Sequence, residues 1–250
     1  MTATMNLERA GTSPAARSAH SCSDCPVRDV SFCAGLDEEE RSAFTAMRRQ
    51  KQLLPGEALA WQDEESPFLA VVREGIVKNT VMDANGGEQT VGISRSGDFV
   101  GRPFSGPTPY GISAVGPVEL CVFPRNDFDR LANERQGVGH HMLKVTLDEL
   151  QRTRRWLLML GKKSATQKVS AFILEFARNG RDLADDEACV VELPFGRQEI
   201  ADILGLTIET VSREFTGLRR HGVIDLPSRR SVAVKDLAAL ADASGEVTYN

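Results

Sequence analysis

Two apolar stripes with helical spacing lie close together between residues 197 and 221. The first is formed by Ile200, Ala201, Ile203 and Leu204, and the second by Val211, Phe215 and Leu218. Between them, Gly205 suits the positive φ of a tight turn, and Thr207 can cap the second helix. The pattern predicts a helix-turn-helix, whose second helix enters the major groove of DNA with its amino-terminal end. A generic pair of antiparallel helices is the alternative.

The period changes between residues 51 and 124, where short apolar runs alternate with turn signals. The runs are LLPGEALAWQ, FLAVVREGIVKNTV, QTVGIS, GDFVG and VELCVFP. Pairs such as Pro55-Gly56 and Gly116-Pro117 separate them. This spacing predicts an antiparallel barrel or roll. A short helix precedes it, because Asp37 and Glu40 have the spacing of a capping box.

A long helical pattern runs from about residue 137 to 163, after a short helix over residues 126–135 that Asn126 can cap. Its seam has spacings of 4, 3, 4 and 3 and comprises Leu143, Leu147, Leu150, Arg154 and Leu157. Further apolar residues exceed one face, so one side can cover the roll while the seam pairs with a second copy. A helix packed only on its own roll is the alternative. In a dimer, two recognition helices would lie about 34 Å apart, in successive major grooves.

The remaining patterns complete a winged helix-turn-helix. A helix is predicted over residues 165–178, a strand over 189–193, and a hairpin over 223–234 whose turn carries Arg229 and Arg230. These arginines could contact phosphate or be solvated turn charges. The predicted fold class is α+β, with an amino-terminal antiparallel β-roll, a long dimerisation helix and a carboxyl-terminal winged helix-turn-helix. The expected divisions are a disordered tail (1–20), the roll with its amino-terminal loop (21–135), the long helix (136–163) and the DNA-binding domain (164–250).

Charge and composition agree with a DNA-binding protein once the charge is localised. The 250 residues carry a net charge of −5, but residues 197–235 hold seven Lys or Arg against five acids. Local rather than total charge meets phosphate. The sequence has no apolar run long enough to span a membrane, and residues 1–20 do not resemble a secretory signal. We therefore expect a cytoplasmic protein with no membrane partner.

Cysteine is the residue type with the most chemical information. Cys22, Cys25 and Cys33 lie within twelve residues, and Cys121 and Cys189 follow far downstream. Thiolates at this spacing suit zinc or an iron–sulfur cluster, and the spacing alone leaves both open, as well as unrelated thiols. Cys121 or Cys189 could supply a fourth ligand, although Cys121 could also be a small core residue. A thiol oxidoreductase would need a βαβ context that is lacking here, and we expect no enzyme activity.

The order of these elements resembles the Crp/Fnr regulators, and among them the oxygen-sensing FNR branch. The most specific marks are residues 204–213 (LGLTIETVSR) and the amino-terminal cysteine triplet together with Cys121. The resemblance implies an oxygen-labile [4Fe-4S] cluster on Cys22, Cys25, Cys33 and Cys121, with Cys189 structural. It also implies that oxygen weakens the dimer, and hence DNA binding, by removing the cluster.

The same resemblance implies the partners. Family members read a palindrome similar to TTGAT-N4-ATCAA through positions that match Glu209, Ser212 and Arg213, and we add Thr210 and Arg197 as candidate DNA contacts. Mainly activators, they contact RNA polymerase through exposed loops of the roll. The matching loop contains Asn85, Gly86, Gly87 and Glu88, although these residues could equally form a simple hairpin turn.

The chain departs from the family pattern at three places. Seven residues separate Cys25 from Cys33, a longer gap than some FNR proteins have. Thr153 matches the acidic seam residue that keeps some cluster-free relatives apart, and Arg152, Arg154 and Arg155 could replace it by like-charge repulsion. Gly101 precedes Arg102 rather than the glutamate of cyclic-nucleotide-binding relatives, so no cyclic nucleotide is expected.

Overall fold

The computed structural model describes residues 22–104, 106–178 and 189–245. The disordered tail expected at residues 1–20 lies outside these ranges. So do Asn179-Gly180, whose sequence predicts the end of the helix over 165–178, and residues 182–187, whose acidic composition predicts a solvated loop. Within the described ranges, no helix is long and apolar enough to cross a membrane.

The chain begins with two 3₁₀ turns, Cys22–Asp24 and Phe32–Gly35, and helix α1 (Glu38–Met47). The predicted capping box of α1 is confirmed: Glu40 N donates to Asp37 Oδ1 at 2.8 Å, and Asp37 N donates to Glu40 Oε2 at 3.0 Å. Eight strands follow: β1 (Arg49–Leu53), β2 (Ala58–Ala60), β3 (Phe68–Glu74), β4 (Ile76–Met82), β5 (Glu88–Arg95), β6 (Phe99–Val100), β7 (Gly111–Ala114) and β8 (Val118–Pro124).

These strands form two antiparallel sheets, in the orders β1-β8-β3-β6 and β2-β7-β4-β5. The predicted antiparallel roll is therefore confirmed. Strand β7 was missing from the sequence prediction, and β1 begins at Arg49, earlier than the predicted start at residue 51. GISA, the sequence of β7, is short and carries a glycine and a serine, so it lacks the apolar run that marked the other strands.

Alternation along β8 assigns its residues to two different cores. Leu120 and Val122 pack between the two sheets, whereas Cys121 and Phe123 face the opposite side of the sheet, against the amino-terminal turns and helices. Because side chains in a strand alternate between faces, this period of two decides where the Cys121 thiol points. It points toward the amino-terminal segment that carries Cys22, Cys25 and Cys33.

Helices α2 (Arg125–Glu134) and α3 (Gln136–Lys162) connect the roll to the carboxyl-terminal domain. The expectation that Asn126 caps α2 is wrong, because the helix begins at Arg125, directly after Pro124, and no side chain caps it. Helix α3 buries Val138 and Met142 near its start and Met159 near its end. A single long helix therefore packs on both domains, while its middle is exposed.

The carboxyl-terminal domain contains α4 (Ala165–Ala177), β9 (Cys189–Glu192), α5 (Arg197–Leu204), α6 (Ile208–Arg220), β10 (Ile224–Asp225), β11 (Ser231–Val234) and α7 (Leu237–Ser244). Gly205 ends α5 with φ 60°, and Thr207 Oγ1 accepts a hydrogen bond from Thr210 N at 3.2 Å. The helix-turn-helix and the β10–β11 wing are confirmed. The sequence prediction did not include α7.

Candidate metal centre and nucleic-acid interface

Four cysteines line one partly enclosed cavity beside the roll. Its walls include Cys22, Cys25, Cys33 and Cys121. Its empty volume is about 560 Å³, a value that includes the open solvent at its mouth. Apolar side chains, among them Phe44 and Phe123, form much of the rest of the lining. Sequence reasoning left Cys121 and Cys189 as alternatives. The fold brings Cys121 to the triplet and buries Cys189 in the core of the other domain.

Each cysteine is held by different local structure. Cys22 begins the first 3₁₀ turn, and Cys33 lies in the second, where its backbone N donates to Ser31 Oγ at 3.3 Å. The residue before Cys33, Phe32, is buried among the rings of Phe44, Phe99 and Phe128. This aromatic cluster anchors the turn that carries Cys33. Cys121, by contrast, is fixed inside a sheet, with β1 on one side and β3 on the other.

The environment of the thiols disfavours bare thiolates. Burial raises the pKa of Cys121 to about 12, with a further increase from Cys33 and an opposing effect of Arg48. Burial also raises the pKa of Cys33, while the Ser31 hydroxyl and, less strongly, Arg41 lower it. Without a bound cation the buried thiols therefore stay protonated at neutral pH. Binding of a metal group would release these protons, since thiolate is the ligand form.

Polar groups in the cavity wall suit an anionic group with acceptor atoms. Arg28, Arg41, Arg48 and Arg73 all line it. Two N–H donors in the wall, Arg41 Nε and Gln50 Nε2, are buried without a hydrogen-bond partner. Buried donors are normally satisfied, so the donor set fits a cluster held by four thiolates, whose sulfur atoms are negatively charged acceptors. Sequence reasoning found neither Arg41 nor Gln50.

The present positions of the cysteines do not fit a single metal ion. Within the described ranges, no group of three or more His, Cys, Asp or Glu side chains is placed to hold one ion. A tetrahedral zinc, with Zn–S bonds of about 2.3 Å, needs its sulfur ligands within about 4 Å of one another. A [4Fe-4S] cluster differs from a single ion in that it spreads its cysteine ligands over several iron atoms.

The cysteine segment contacts the long helix directly. His141 of α3 lies against Phe32, and its ring forms a hydrogen bond with the Phe32 backbone. A Cβ on Gly35 would lie only 2.1 Å from His141 Cε1. The absence of a side chain at Gly35 thus lets α3 approach the turn that carries Cys33. Sequence analysis gave His141 no role, because the contact joins residues more than one hundred positions apart.

The exposed face of α6 carries three of the predicted DNA-reading residues. Glu209, Ser212 and Arg213 are exposed, and Thr210 is half-buried beside Thr207. A hydrogen bond from its own backbone N–H, with a second from the Thr207 hydroxyl, lowers the pKa of Glu209. Its carboxylate is therefore ionised at neutral pH and able to accept a hydrogen bond. Arg213 Nε lies 3.4 Å from Glu214 Oε1 and leaves most of its guanidinium exposed.

Arg197 takes part in packing between the two helices. Its guanidinium carbon lies 3.4 Å from the centre of the Phe215 ring, and its Nη1 atom is buried without a partner. Burial lowers the pKa of this guanidinium. In this conformation Arg197 braces α5 against α6, and a direct contact with DNA stays a prediction.

The predicted seam of α3 is largely free of contacts within the chain. Leu143, Leu147, Leu150 and Leu157 are 43–64% exposed, and Arg154 is exposed between them. Arg152 instead binds Asp98 of its own roll, Nη1 to Oδ1 at 2.7 Å, and Glu149 at 3.0 Å. Of the three arginines expected to repel a second copy, Arg152 is therefore engaged within its own chain.

The loop expected to contact RNA polymerase is a hydrogen-bonded turn between β4 and β5. Asp83 Oδ1 accepts from Asn85 N at 2.8 Å and Gly87 N at 2.9 Å, and Gly86 has φ 82°. Glu88 pairs with Lys78, Oε1 to Nζ at 2.6 Å. The hairpin geometry is thus explained locally, and the polymerase contact stays a prediction.

Comparisons with known proteins agree with this architecture. Residues 50–135 match the family model for the cyclic nucleotide-binding domain, and residues 151–243 match that for the Crp-like helix-turn-helix domain. The Transcriptional activator protein FnrL of Cereibacter sphaeroides is 36% identical over 230 residues, which cover 91% of this chain and 93% of that protein. The chain belongs to the Crp/Fnr family. Its members are DNA-binding transcription regulators.

Two further comparisons agree, one with the family and one with the fold. The Nitrogen fixation regulation protein FixK of Bradyrhizobium diazoefficiens is 37% identical over 206 residues, covering 82% of this chain and 86% of its own length. The structure of FixK2 from Bradyrhizobium japonicum superposes with a TM-score of 0.73 at 23% identity, covering 80% of this chain and 99% of that chain. At that identity the second comparison supports the fold alone. That the roll binds no cyclic nucleotide stays a prediction, based on Arg102 after Gly101.

Proposed function

We propose that the chain is an oxygen-responsive transcription activator that binds DNA as a homodimer and holds a [4Fe-4S] cluster on Cys22, Cys25, Cys33 and Cys121. The convergence of four cysteines on one cavity with buried, unpartnered N–H donors carries the proposal. The similarity to FnrL, a transcriptional activator, supports an activating role, and the similarity to FixK, a nitrogen fixation regulation protein, supports a regulatory one. When bound, an oxygen-labile cluster would supply the chemical response to oxygen.

The protein's own residues define what such a ligand set would do. Cys121 is held between two paired strands, whereas Cys22, Cys25 and Cys33 belong to a short segment of turns. Ligation at all four thiols would fasten this segment to the roll. Phe32 and His141 then connect the fastened segment with α3. The position of α3 in turn governs how the exposed leucines of two copies meet.

The exposed end of α6 supports reading of a TTGAT-N4-ATCAA-like palindrome. Arg213 can donate two hydrogen bonds to guanine O6 and N7, and the ionised Glu209 can accept one from cytosine N4. Each good contact of this kind contributes about 1–3 kcal/mol of discrimination between bases. In Arg213→Ala, we expect the preference for one guanine of each half of the palindrome to disappear.

RNA polymerase is the proposed partner of the turn at residues 85–88. The turn is exposed at the end of the roll, and its backbone is fixed by Asp83. A fixed and exposed backbone suits protein recognition, because little entropy is lost on binding. In Gly86→Val, we expect reduced promoter activation with unchanged affinity for DNA, since the turn is separate from α6.

A structural zinc ion is the second candidate for the cysteine site, because the close sequence spacing of Cys22, Cys25 and Cys33 suits zinc as well as an iron–sulfur cluster. Zinc would require the thiols to approach one another more closely than in this structure. It would also bind without any response to oxygen, because Zn²⁺ has no redox chemistry.

Anaerobic purification of the full chain, with iron, sulfide and zinc analysis, tests the proposal. We expect iron and sulfide in equal amounts, visible absorbance that bleaches in air, and DNA binding by a dimer that weakens after exposure to air. Stoichiometric zinc without sulfide would establish the second candidate. A metal-free protein that binds the palindrome as a dimer would exclude both metal proposals and leave DNA binding intact.

A further inference from the structure

Gln50 lies directly beside the cysteine that the roll contributes to the cavity. In the antiparallel pairing of β1 with β8, Gln50 is the register partner of Cys121. Directly opposed residues project to the same face of a sheet, with Cβ atoms about 4.5–5.5 Å apart. Gln50 therefore shares the face that Cys121 turns toward the amino-terminal cysteines, and it lines the same cavity.

The side-chain nitrogen of Gln50 is buried and has no acceptor among the described residues. Leaving a buried N–H donor unsatisfied costs about 1–3 kcal/mol, so a glutamine retained here needs an acceptor in the cavity. Arg41 of α1, which also lines the cavity, repeats the observation: its Nη2 donates to Leu36 O at 2.6 Å, while its Nε is buried without a partner. Two donors on separate elements thus border the same space.

Among the described residues, the cavity wall supplies no carboxylate to accept from these donors. The residues that border it, apart from the cysteines, are apolar, hydroxyl, amide or cationic. The hydroxyls of Ser31 and Thr45 also line the cavity, but neither accepts from Gln50 Nε2 or Arg41 Nε. The cysteine sulfurs, and a group that those sulfurs bind, are further acceptors that the cavity can offer. A sulfur that carries negative charge is the stronger acceptor, because hydrogen bonds to charged groups are the strong ones.

We infer that Gln50 Nε2 donates a hydrogen bond to a sulfur of the cluster or of its Cys121 ligand and thereby slows oxidation of the cluster. The inference rests on the proposed function, since it assumes that the four cysteines hold a cluster. Hydrogen bonds to cluster sulfurs withdraw electron density and are among the factors that set the reduction potential. Gln50 acts indirectly, as a positioning residue: its hydrogen bond lowers the electron density on the sulfur that accepts it.

The test compares Gln50→Leu with Gln52→Leu in anaerobically reconstituted, full-length protein. Gln52 is two positions along the same strand and donates to Glu119 Oε1 at 3.1 Å, away from the cavity. We expect the cluster of Gln50→Leu to bleach in air about two- to tenfold faster than wild type, the range that corresponds to one net hydrogen bond. Gln52→Leu should bleach at the wild-type rate.

Resonance Raman spectra supply the readout that a merely structural role would not change. Iron–sulfur bands that depend on a hydrogen bond shift when the protein is transferred to D₂O, and part of that shift should be lost in Gln50→Leu but not in Gln52→Leu. Gln50→Glu keeps the size of the side chain and replaces its N–H donor, so it should bleach at least as fast as Gln50→Leu. If Gln50→Leu fails to fold, the bleaching rate and the D₂O shift of Gln50→Glu test the role of Gln50 instead.

The outcomes separate the inference from the function on which it rests. A wild-type protein without iron and sulfide overturns both. A wild-type protein that carries a cluster, with equal bleaching rates and equal D₂O shifts in the Gln50 variants and in Gln52→Leu, overturns the role of Gln50 alone. Faster bleaching together with a lost D₂O shift, seen only at position 50, establishes it.

Discussion

The imidazole of His141 packs against the ring of Phe32, with the ring centroids 5.0 Å apart. Phe32 is the immediate neighbour of Cys33, and His141 lies two residues before Leu143, the first leucine of the exposed seam. One contact therefore joins the cysteine segment to the helix through which two copies would pair.

This contact depends on the small size of Gly35. In Gly35→Ala, the new Cβ would meet His141, and overpacking of this kind costs about 1–3 kcal/mol. We expect a lower urea midpoint for the metal-free protein, with Gly116→Ala as the control because a Cβ there meets open space. Equal midpoints for the two variants would show that α3 can move away from the turn without loss.

The exposed leucine seam predicts a dimer interface that a single charge can disrupt. Burial of a leucine stabilises by about 1.5–3 kcal/mol, so Leu147→Glu should raise the dimer dissociation constant at least about tenfold. Sedimentation of the cluster-loaded protein measures this. Lys162→Glu, exposed at the end of α3 and beyond the seam, should leave the dimer unchanged. A Leu147→Glu protein that still dimerises fully would place the interface elsewhere.

Arg154 is the one charged residue in the predicted seam, and its replacement should act in the opposite direction. Arg154→Leu removes like-charge repulsion between two copies and adds apolar surface to bury. We expect dimerisation at least about tenfold tighter, and DNA binding that persists after the protein is exposed to air. Unchanged dissociation in air would show that Arg154 points away from the second copy.

Substitutions at Gly205, in the turn of the helix-turn-helix, should measure the free-energy cost of a left-handed backbone conformation without a steric clash. A Cβ at Gly205 meets nothing within 4 Å, while φ is +60°. Gly205→Ala should therefore lower the free energy of unfolding by about 1–2 kcal/mol. Gly205→Asn should cost less although asparagine is larger, since asparagine tolerates this region. Thermal unfolding compares the two, and the reverse order would contradict the conformational explanation.

A buried lysine caps the carboxyl-terminal end of α5, the first helix of the helix-turn-helix. Lys168 Nζ donates to Leu204 O at 3.1 Å, and that carbonyl lacks a partner within its own helix. Lys168→Met keeps the aliphatic stem but leaves the carbonyl unsatisfied, which costs about 1–3 kcal/mol. Denaturant unfolding should show this loss, whereas the exposed Lys162→Met should not.

Periodicity and turn chemistry made the DNA-binding half predictable. Local signals decided it: the positive φ at Gly205, the cap at Thr207 and the helical spacing of Val211, Phe215 and Leu218 all lie within fourteen residues. The face on which each apolar residue lies follows from the same short window. Arg197 was less predictable, because its stacking on Phe215 depends on how two helices cross.

The cysteine cavity could be predicted only in part. The sequence showed three thiols close together, but the choice of Cys121 as the fourth needed either the family resemblance or the face of β8 that it occupies. Gln50 could not be found at all, since its pairing with Cys121 depends on a register between strands about seventy residues apart. A local pattern carries no information about such a register.

Strand β8 is paired on both sides of Cys121, with β1 and with β3. A thiol held between paired strands cannot follow a change in its ligand without breaking backbone hydrogen bonds on both sides, whereas the turns at Cys22 and Cys33 are joined to the body mainly by side chains. Any rearrangement must therefore occur at the amino-terminal side of the cavity. When the cluster is lost, deuterium uptake by backbone amides should rise first at residues 22–35. The amides of β8 should continue to exchange slowly.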